Sequence, residues 1–256
     1  MSKIKEFKAG KLSVKVFDSR STMGREASKE ASIKIKELLS AKKEINIIFA
    51  AAPSQNEFLA SLINDREIKW DRINAFHMDE YIGLNPEAPQ GFGNFLKDRI
   101  FGRVSFKSVN YLYGNAKNMD EECRRYTALL KSHPVDIVCM GIGENGHIAF
   151  NDPHIALFKD EKWVKVVELD KKCRNQQVND GCFDSLEKVP THALTLTIPS
   201  LISGGYIFCM VPAKTKAEAV YATVNGEITE GCPASILKTH ENAILYTEIE
   251  SASLIL

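Results

Sequence analysis

Short, nearly unbroken runs of apolar and β-branched residues recur along this chain, separated by stretches with helical patterning. Residues 45–50 (Ile-Asn-Ile-Ile-Phe-Ala), 73–76, 135–140 and 206–211 offer almost nothing polar to solvent on either side. A strand that is apolar on both faces must be covered on both, which is the pattern of a parallel sheet between helices. Residues 12–17 alternate like a further strand, and shorter strands are expected near Tyr111, at 193–198 and at 243–246. Helices are expected from Ser21 or Thr22 to about Ser40, through Leu62, and at about 92–101, 119–131 and 214–224. The expected fold is α/β, a doubly wound, mostly parallel sheet with helices on both faces. The chain has 256 residues and shows no internal repeat, linker or low-complexity segment, so one domain over residues 1–256 is expected. The charged stretch after residue 153 reads as irregular.

Lys plus Arg equals Asp plus Glu at 33 each, so the formal net charge is zero. A nucleic-acid or anionic-membrane surface needs a basic excess or stripe, and neither partner is expected. Residues 1–8 are basic with no apolar stretch behind them, unlike a signal peptide, and the apolar runs are strand-sized. The six cysteines are scattered without a C-x-x-C pair, which suggests reduced thiols in the cytoplasm and no zinc cage.

In doubly wound folds, ligands bind at the carboxyl ends of the strands. That rule selects residues 51–55, Asp79-Glu80, 141–152 and 212–216. Residues 141–147 read Gly-Ile-Gly-Glu-Asn-Gly-His. The G-x-G-x-x-G spacing matches a dinucleotide fingerprint, but Pro153 stops a long helix there and no acidic residue closes a following βαβ unit. The glycines, Gly143 and Gly146 among them, instead suit a sharp turn whose backbone approaches a substrate. His147 admits three readings: a core or capping histidine, a metal ligand, or a proton shuttle. No second histidine or cysteine stands at ligand spacing, and the position inside a glycine turn favours the shuttle, oriented by Asp152. Asp79 reads as a carboxylate held in a cleft and raised toward neutrality as a carbon base, with Glu80 beside it. Ser54, Gln55, Lys216 and Arg174 are candidates for holding an anionic end of a substrate.

The segments 78–84 (Met-Asp-Glu-Tyr-Ile-Gly-Leu), 141–153 and 189–195 (Val-Pro-Thr-His-Ala-Leu-Thr) resemble the glucosamine-6-phosphate deaminase (isomerase) family, in order and spacing, along nearly the whole chain. The resemblance implies a cofactor-free, metal-free aldose–ketose isomerisation with loss of ammonia. His147 would open the pyranose ring, held by Asp152 and Asn145, and Asp79 would move the proton from C2 to C1. It also implies a small sugar phosphate as partner and leaves a homo-oligomer open.

Three departures from the family pattern stand out. Asp152 replaces the usual Glu, and Asn145 stands where Asp or Asn occurs. At the phosphate end, residues 52–55 (Ala-Pro-Ser-Gln) replace a Gly-Gly-Thr-Pro-like loop, and the arginine expected near Gly181-Cys182-Phe183 is missing. Lys216 matches the family's phosphate lysine, and Arg174 is the candidate substitute for the arginine. The related 6-phosphogluconolactonases offer a second reading, weakened by the Asn151-Asp152-Pro153 tail. A non-catalytic sugar-phosphate sensor is a third, weakened by the lack of room for an N-terminal DNA-binding domain and by retention of both Asp79 and His147.

Overall fold

The structure, a computed structural model, describes residues 2–256. The chain runs β1 (Lys3–Ala9), β2 (Leu12–Phe17), α1 (Arg20–Ala41), β3 (Ile45–Phe49), α2 (Asn56–Leu62), β4 (Ile73–His77), β5 (Asp79–Tyr81), α3 (Phe92–Leu96), β6 (Ser108–Asn110), α4 (Met119–Ser132), β7 (Ile137–Met140), β8 (Val164–Glu168), α5 (Lys171–Asn179), β9 (His192–Leu196), α6 (Ile198–Ile202), β10 (Tyr206–Val211), α7 (Ala217–Asn225) and β11 (Ala243–Glu248). Eight strands form one sheet in the order β1-β2-β11-β10-β7-β3-β4-β6. All neighbours are parallel except β1 and β2. This is the mostly parallel α/β fold expected.

Alternation along β3 shows why its sequence is apolar throughout. Ile47 and Phe49 face a core built with Met23, Ala27 and Ile35 of α1 and Phe58 of α2. Ile48 faces the opposite core with Tyr126 and Leu130 of α4 and Val220 of α7. Each fully buried aliphatic side chain contributes roughly 1.5–3 kcal/mol, so a polar residue on either face would be costly.

Strand order positions the site. From β3 the chain builds outward through β4 and β6, then returns to β7 and builds the other way through β10 and β11. The connections after β3 and β7 therefore diverge and leave a crevice at their carboxyl ends.

Several elements differ from expectation. Residues 193–198 do not join the main sheet: β9 lies at the centre of a second, antiparallel sheet of order β5-β9-β8. The region read as irregular contains β8 and α5, whose charged, half-exposed sequences carry little apolar period. Residues 3–9 form an exposed edge strand, too polar to stand out. The strand near Tyr111 falls at Ser108–Asn110, and the helix expected at 92–101 widens after Leu96. Ser19, rather than Ser21 or Thr22, caps α1, accepting the Thr22 N–H at 3.2 Å.

At the carboxyl ends of β4 and β6, side chains complete the backbone's hydrogen bonds. The Tyr126 hydroxyl accepts the His77 N–H at 3.1 Å and reaches the carbonyls of His77 at 2.9 Å and Asn110 at 3.0 Å. His77 Nε2 accepts the Leu112 N–H at 2.6 Å, and burial pushes this imidazole down to about 3, so it stays neutral. Replacing Tyr126 by Phe should leave buried backbone groups unpaired. Urea unfolding should show a loss of about 1–3 kcal/mol with the fold intact; an unchanged midpoint would show that these groups find other partners.

Candidate active site

The crevice is a cleft with apolar walls and ionisable groups at its two ends. Asp79, Met78, Phe92, Phe150 and His147 line one end; Ser54, Lys216, Arg20 and Asp180 line the other. The end that holds Asp79 and His147 is organised by β9. Asp79 lies opposite Thr195 in the antiparallel register. The Phe150 N–H donates to Thr195 Oγ1 at 3.0 Å, and Asn151 Nδ2 donates to the Leu196 carbonyl at 2.8 Å. One strand thus fixes both the acidic residue and the loop that carries His147.

Within that loop the ring of His147 lies over Gly143, where a Cβ would occupy the space of the imidazole. The turn closes through the Gly146 N–H to the Gly143 carbonyl at 3.0 Å and the Gly143 N–H to the His147 carbonyl at 2.9 Å. Gly146 sits at φ +83°, and a Cβ there would meet Cys232 Sγ at 2.9 Å. Ala149, two residues past His147, is held at φ 48°, and Ala213, ahead of Lys216, at φ 84°. Left-handed alanines store local strain that the surrounding bonds must hold.

His147 Nδ1 lies 2.7 Å from Asn145 Oδ1 and 3.1 Å from Asp152 Oδ1. Two acceptors on one side place the ring proton on Nδ1 and leave Nε2 as a lone-pair acceptor toward the cleft. Asn145 Nδ2 bridges to Asp152 Oδ1 at 2.9 Å and to Asp170 Oδ2 at 3.2 Å. The shorter Asp152 side chain therefore reaches the imidazole with Asn145 as a brace. Burial pushes the Asp152 carboxyl up, but the His147 bond and charge, the Asn145 amide and the Asp170 N–H outweigh it and hold it below the usual range.

Asp79 is in the opposite situation. It is buried with no donors to match those around Asp152, so burial first, and the neighbouring Glu80 charge second, push it well above the usual carboxylate range. Tyr81, Phe92 and Phe150 pack ring against ring behind it, which keeps this end dry.

Lys216 is the main cation of the other end. It is 6% exposed, its Nζ has no hydrogen-bond partner among the described residues, and burial lowers its pKa. Ser54 Oγ accepts from Gln55 Nε2 at 3.0 Å and faces the same space.

Three candidates stand elsewhere. Glu80 turns away from the cleft: its carboxylate accepts the N–H groups of Tyr81, Phe92 and Gly93 at 2.8–3.0 Å and caps α3. The short β5 strand alternates faces, so neighbours Asp79 and Glu80 must point oppositely. Gln55 is fully buried and ties Ser54 to the Met140 carbonyl at 3.1 Å, a brace and not a cleft residue. Arg174 donates to the carbonyls of Leu186 and Val189 at 2.7 and 2.8 Å, pinning the loop before β9 and leaving the anionic end without it.

A residue the sequence did not flag, Arg20, reaches the cleft from the first turn of α1. Its Nε donates to Glu57 at 2.8 Å and its Nη2 to the Pro53 carbonyl. Only the packing of α1 on α2 brings it there, and no motif surrounds it. Gln176, Gln177 and Asp180 arrive with the unrecognised α5.

Gly143→Ala tests the ring placement. The added methyl should displace His147 by about 1 Å, which costs on the order of a hundredfold in turnover with little change in thermal stability. Wild-type turnover in that variant would mean the ring's seat on Gly143 is unimportant.

The chain matches the family of glucosamine-6-phosphate isomerases and 6-phosphogluconolactonases over residues 18–246. It is 35% identical over 228 residues to a glucosamine-6-phosphate deaminase of Exiguobacterium sp. (strain ATCC BAA-1283 / AT1b), covering 89% of this chain and 87% of that one. A deaminase of Bacillus cereus (strain B4264) is 32% identical over 225 residues, 88% of this chain and 84% of its own. Among solved structures, a monomeric glucosamine-6-phosphate deaminase superposes with a TM-score of 0.84 at 31% identity, over 94% of this chain and 99% of that one. The 6-phosphogluconolactonase of Thermotoga maritima shares the fold, with a TM-score of 0.75 at 17% identity over 92% and 98% of the two chains. No helix among the described residues is long and apolar enough to cross a membrane. With both the sequence match and the 31–35% identical relatives in hand, this chain belongs to the glucosamine-6-phosphate isomerase/6-phosphogluconolactonase family of enzymes.

Proposed function

We propose that this enzyme converts glucosamine 6-phosphate and water to fructose 6-phosphate and ammonia, without a cofactor. The observation that carries the reading is the pairing of a cleft-facing His147 Nε2 with a separate, desolvated Asp79. Ring opening moves a proton between oxygens, and isomerisation moves one between carbons. Two groups of different basicity on two walls suit those two tasks.

In this scheme His147 Nε2 takes the proton of the C1 hydroxyl and returns it to the ring oxygen as the C1–O5 bond breaks. Asn145 and Asp152 keep Nδ1 protonated throughout and stabilise the transient imidazolium. The Asp79 carboxylate then removes the C2 proton, and the electron pair forms the enolamine. Reprotonation at C1 gives an imine at C2, and water hydrolyses it to the ketone and ammonia. The phosphate is assigned to Lys216, the Ser54 hydroxyl and Arg20. Lys216 carries most of this, because its buried ammonium has no other partner.

The assignment is tested by incubating the protein with glucosamine 6-phosphate and measuring ammonia and fructose 6-phosphate. Failure to turn over any hexosamine phosphate would remove it. Asp79→Asn should abolish exchange of the C2 proton with solvent, and normal exchange would refute the carbon base. Burial and the Glu80 charge favour the protonated form of Asp79, and only the ionised form accepts a proton. Activity should therefore fall, as pH drops, on a limb lying above the ordinary carboxylate value of about 4; a limb at or below that value would place the base elsewhere. Lys216→Met should raise KM for the 6-phosphate roughly tenfold to a hundredfold, the value of a charge-assisted hydrogen bond. Arg20→Ala, at a half-exposed side chain with other partners, should raise it less. An unchanged KM in Lys216→Met would put the phosphate elsewhere.

A further inference from the structure

Around His147 and its brace Asp152 lies a cluster that the proposed reaction does not fully use. His147, Asp152 and Cys173 each offer one ligand atom, and these atoms all lie within 4.8 Å of one another. All three residues are more than nine-tenths buried. Asp152 also belongs to a second group with His154, which is exposed, and Asp170, which is half-buried, under the same spacing. Cys173 comes from the first turn of α5, 26 residues after His147 in sequence, so no local spacing announces the set.

We propose that His147, Asp152 and Cys173 form a binding site for a thiophilic divalent cation, zinc foremost, and that occupancy switches the enzyme off. A nitrogen, a carboxylate oxygen and a sulfur match zinc's ligand preference, and three protein ligands with one open position make a complete tetrahedral set with water. Zinc bonds of about 2.0–2.3 Å place tetrahedral ligands roughly 3.3–3.8 Å apart, so the cluster need contract by only about 1 Å at its widest. Softness decides between cations: the thiol disfavours magnesium and calcium, which take oxygen ligands. The exposed His154 and the half-buried Asp170 share Asp152 with the inner set, which places polar ligand atoms between it and the surface.

The chemistry balances as follows. Zinc replaces the thiol proton of Cys173, which leaves to solvent, and a Zn–S bond forms. Zinc also displaces the proton of His147 Nδ1, which leaves to solvent while Nε2 takes one up from the cleft, and bonds to the Nδ1 lone pair so freed, so the one ring proton resides on Nε2. The cleft then meets an N–H donor where it had an acceptor. His147 can no longer take the hydroxyl proton of a closed sugar ring, and Asp152 no longer braces it. This inhibitory consequence rests on the deaminase reading, whereas the metal site does not.

The test uses the full-length protein with zinc and with cobalt(II) as probes. Cobalt should give a sulfur-to-metal charge-transfer band in the near ultraviolet that saturates at one equivalent, with zinc displacing it. Zinc should abolish ammonia release from glucosamine 6-phosphate, and a chelator should restore it. Cys173→Ser should lose the band and need at least tenfold more zinc for half-inhibition, at a basal turnover close to the parent's. Cys182→Ser and Cys232→Ser should keep both responses. Absence of the band, or a band that survives in Cys173→Ser, overturns the site. A Cys173-dependent band in an active enzyme that zinc leaves uninhibited overturns the switch. A Cys173-dependent band in a protein that turns over no hexosamine phosphate leaves the site standing and removes the deaminase reading instead.

Discussion

The arrangement of the candidate active site depends on the hydrogen bonds that fasten the His147 loop to β9. Thr195 and the Leu196 carbonyl each take one bond from the loop, through the Phe150 N–H and the Asn151 amide. The same strand pairs with β5, which carries Asp79. A sharp glycine turn with left-handed residues on either side of the histidine would otherwise be free to open, since its backbone conformations are costly. Because the anchoring groups are buried, each unmade bond would cost the full desolvation of a polar group. The main sheet supplies the crevice, and the small antiparallel sheet supplies the spacing across it.

On this frame two carboxylates of similar chemistry acquire opposite properties. Asp152 is among the most buried residues of the chain, yet donors from His147, Asn145 and the Asp170 backbone hold it ionised. Asp79 is buried without matching donors, and with the charge of Glu80 nearby it retains a proton far more readily. Burial alone gives the right direction for Asp79 and the wrong one for Asp152. What decides the outcome is the number of donors within reach, and in both cases the backbone route of the surrounding loop sets that number.

The fold was legible where residues alone determine the element. Strands β3, β4, β7 and β10 are apolar on both faces, and no other common context tolerates that. The strand-end rule then located Ser54, Asp79, His147 and Lys216 in one cleft. Legibility failed where a polar segment is held by tertiary contacts. Helix α5 carries almost no apolar period, so nothing in the sequence signals that the Nη2 of Arg174 is held by the carbonyls of Leu186 and Val189. Adjacency in sequence puts Glu80 beside Asp79 as a substrate-binding candidate, and the alternation of a strand turns it away from the cleft. Arg20 and the Cys173 cluster are products of packing between segments distant in sequence.

The unpartnered ammonium of Lys216 also has a bearing on stability. An enclosed cation with no hydrogen-bond acceptor costs free energy, and an anion held beside it would relieve that penalty. Under the proposed phosphate assignment, folding and ligand binding would be coupled through this one side chain. Removing the charge should make the chain more rugged, and under that assignment it would also weaken recognition, so robustness and recognition would pull in opposite directions at this single position.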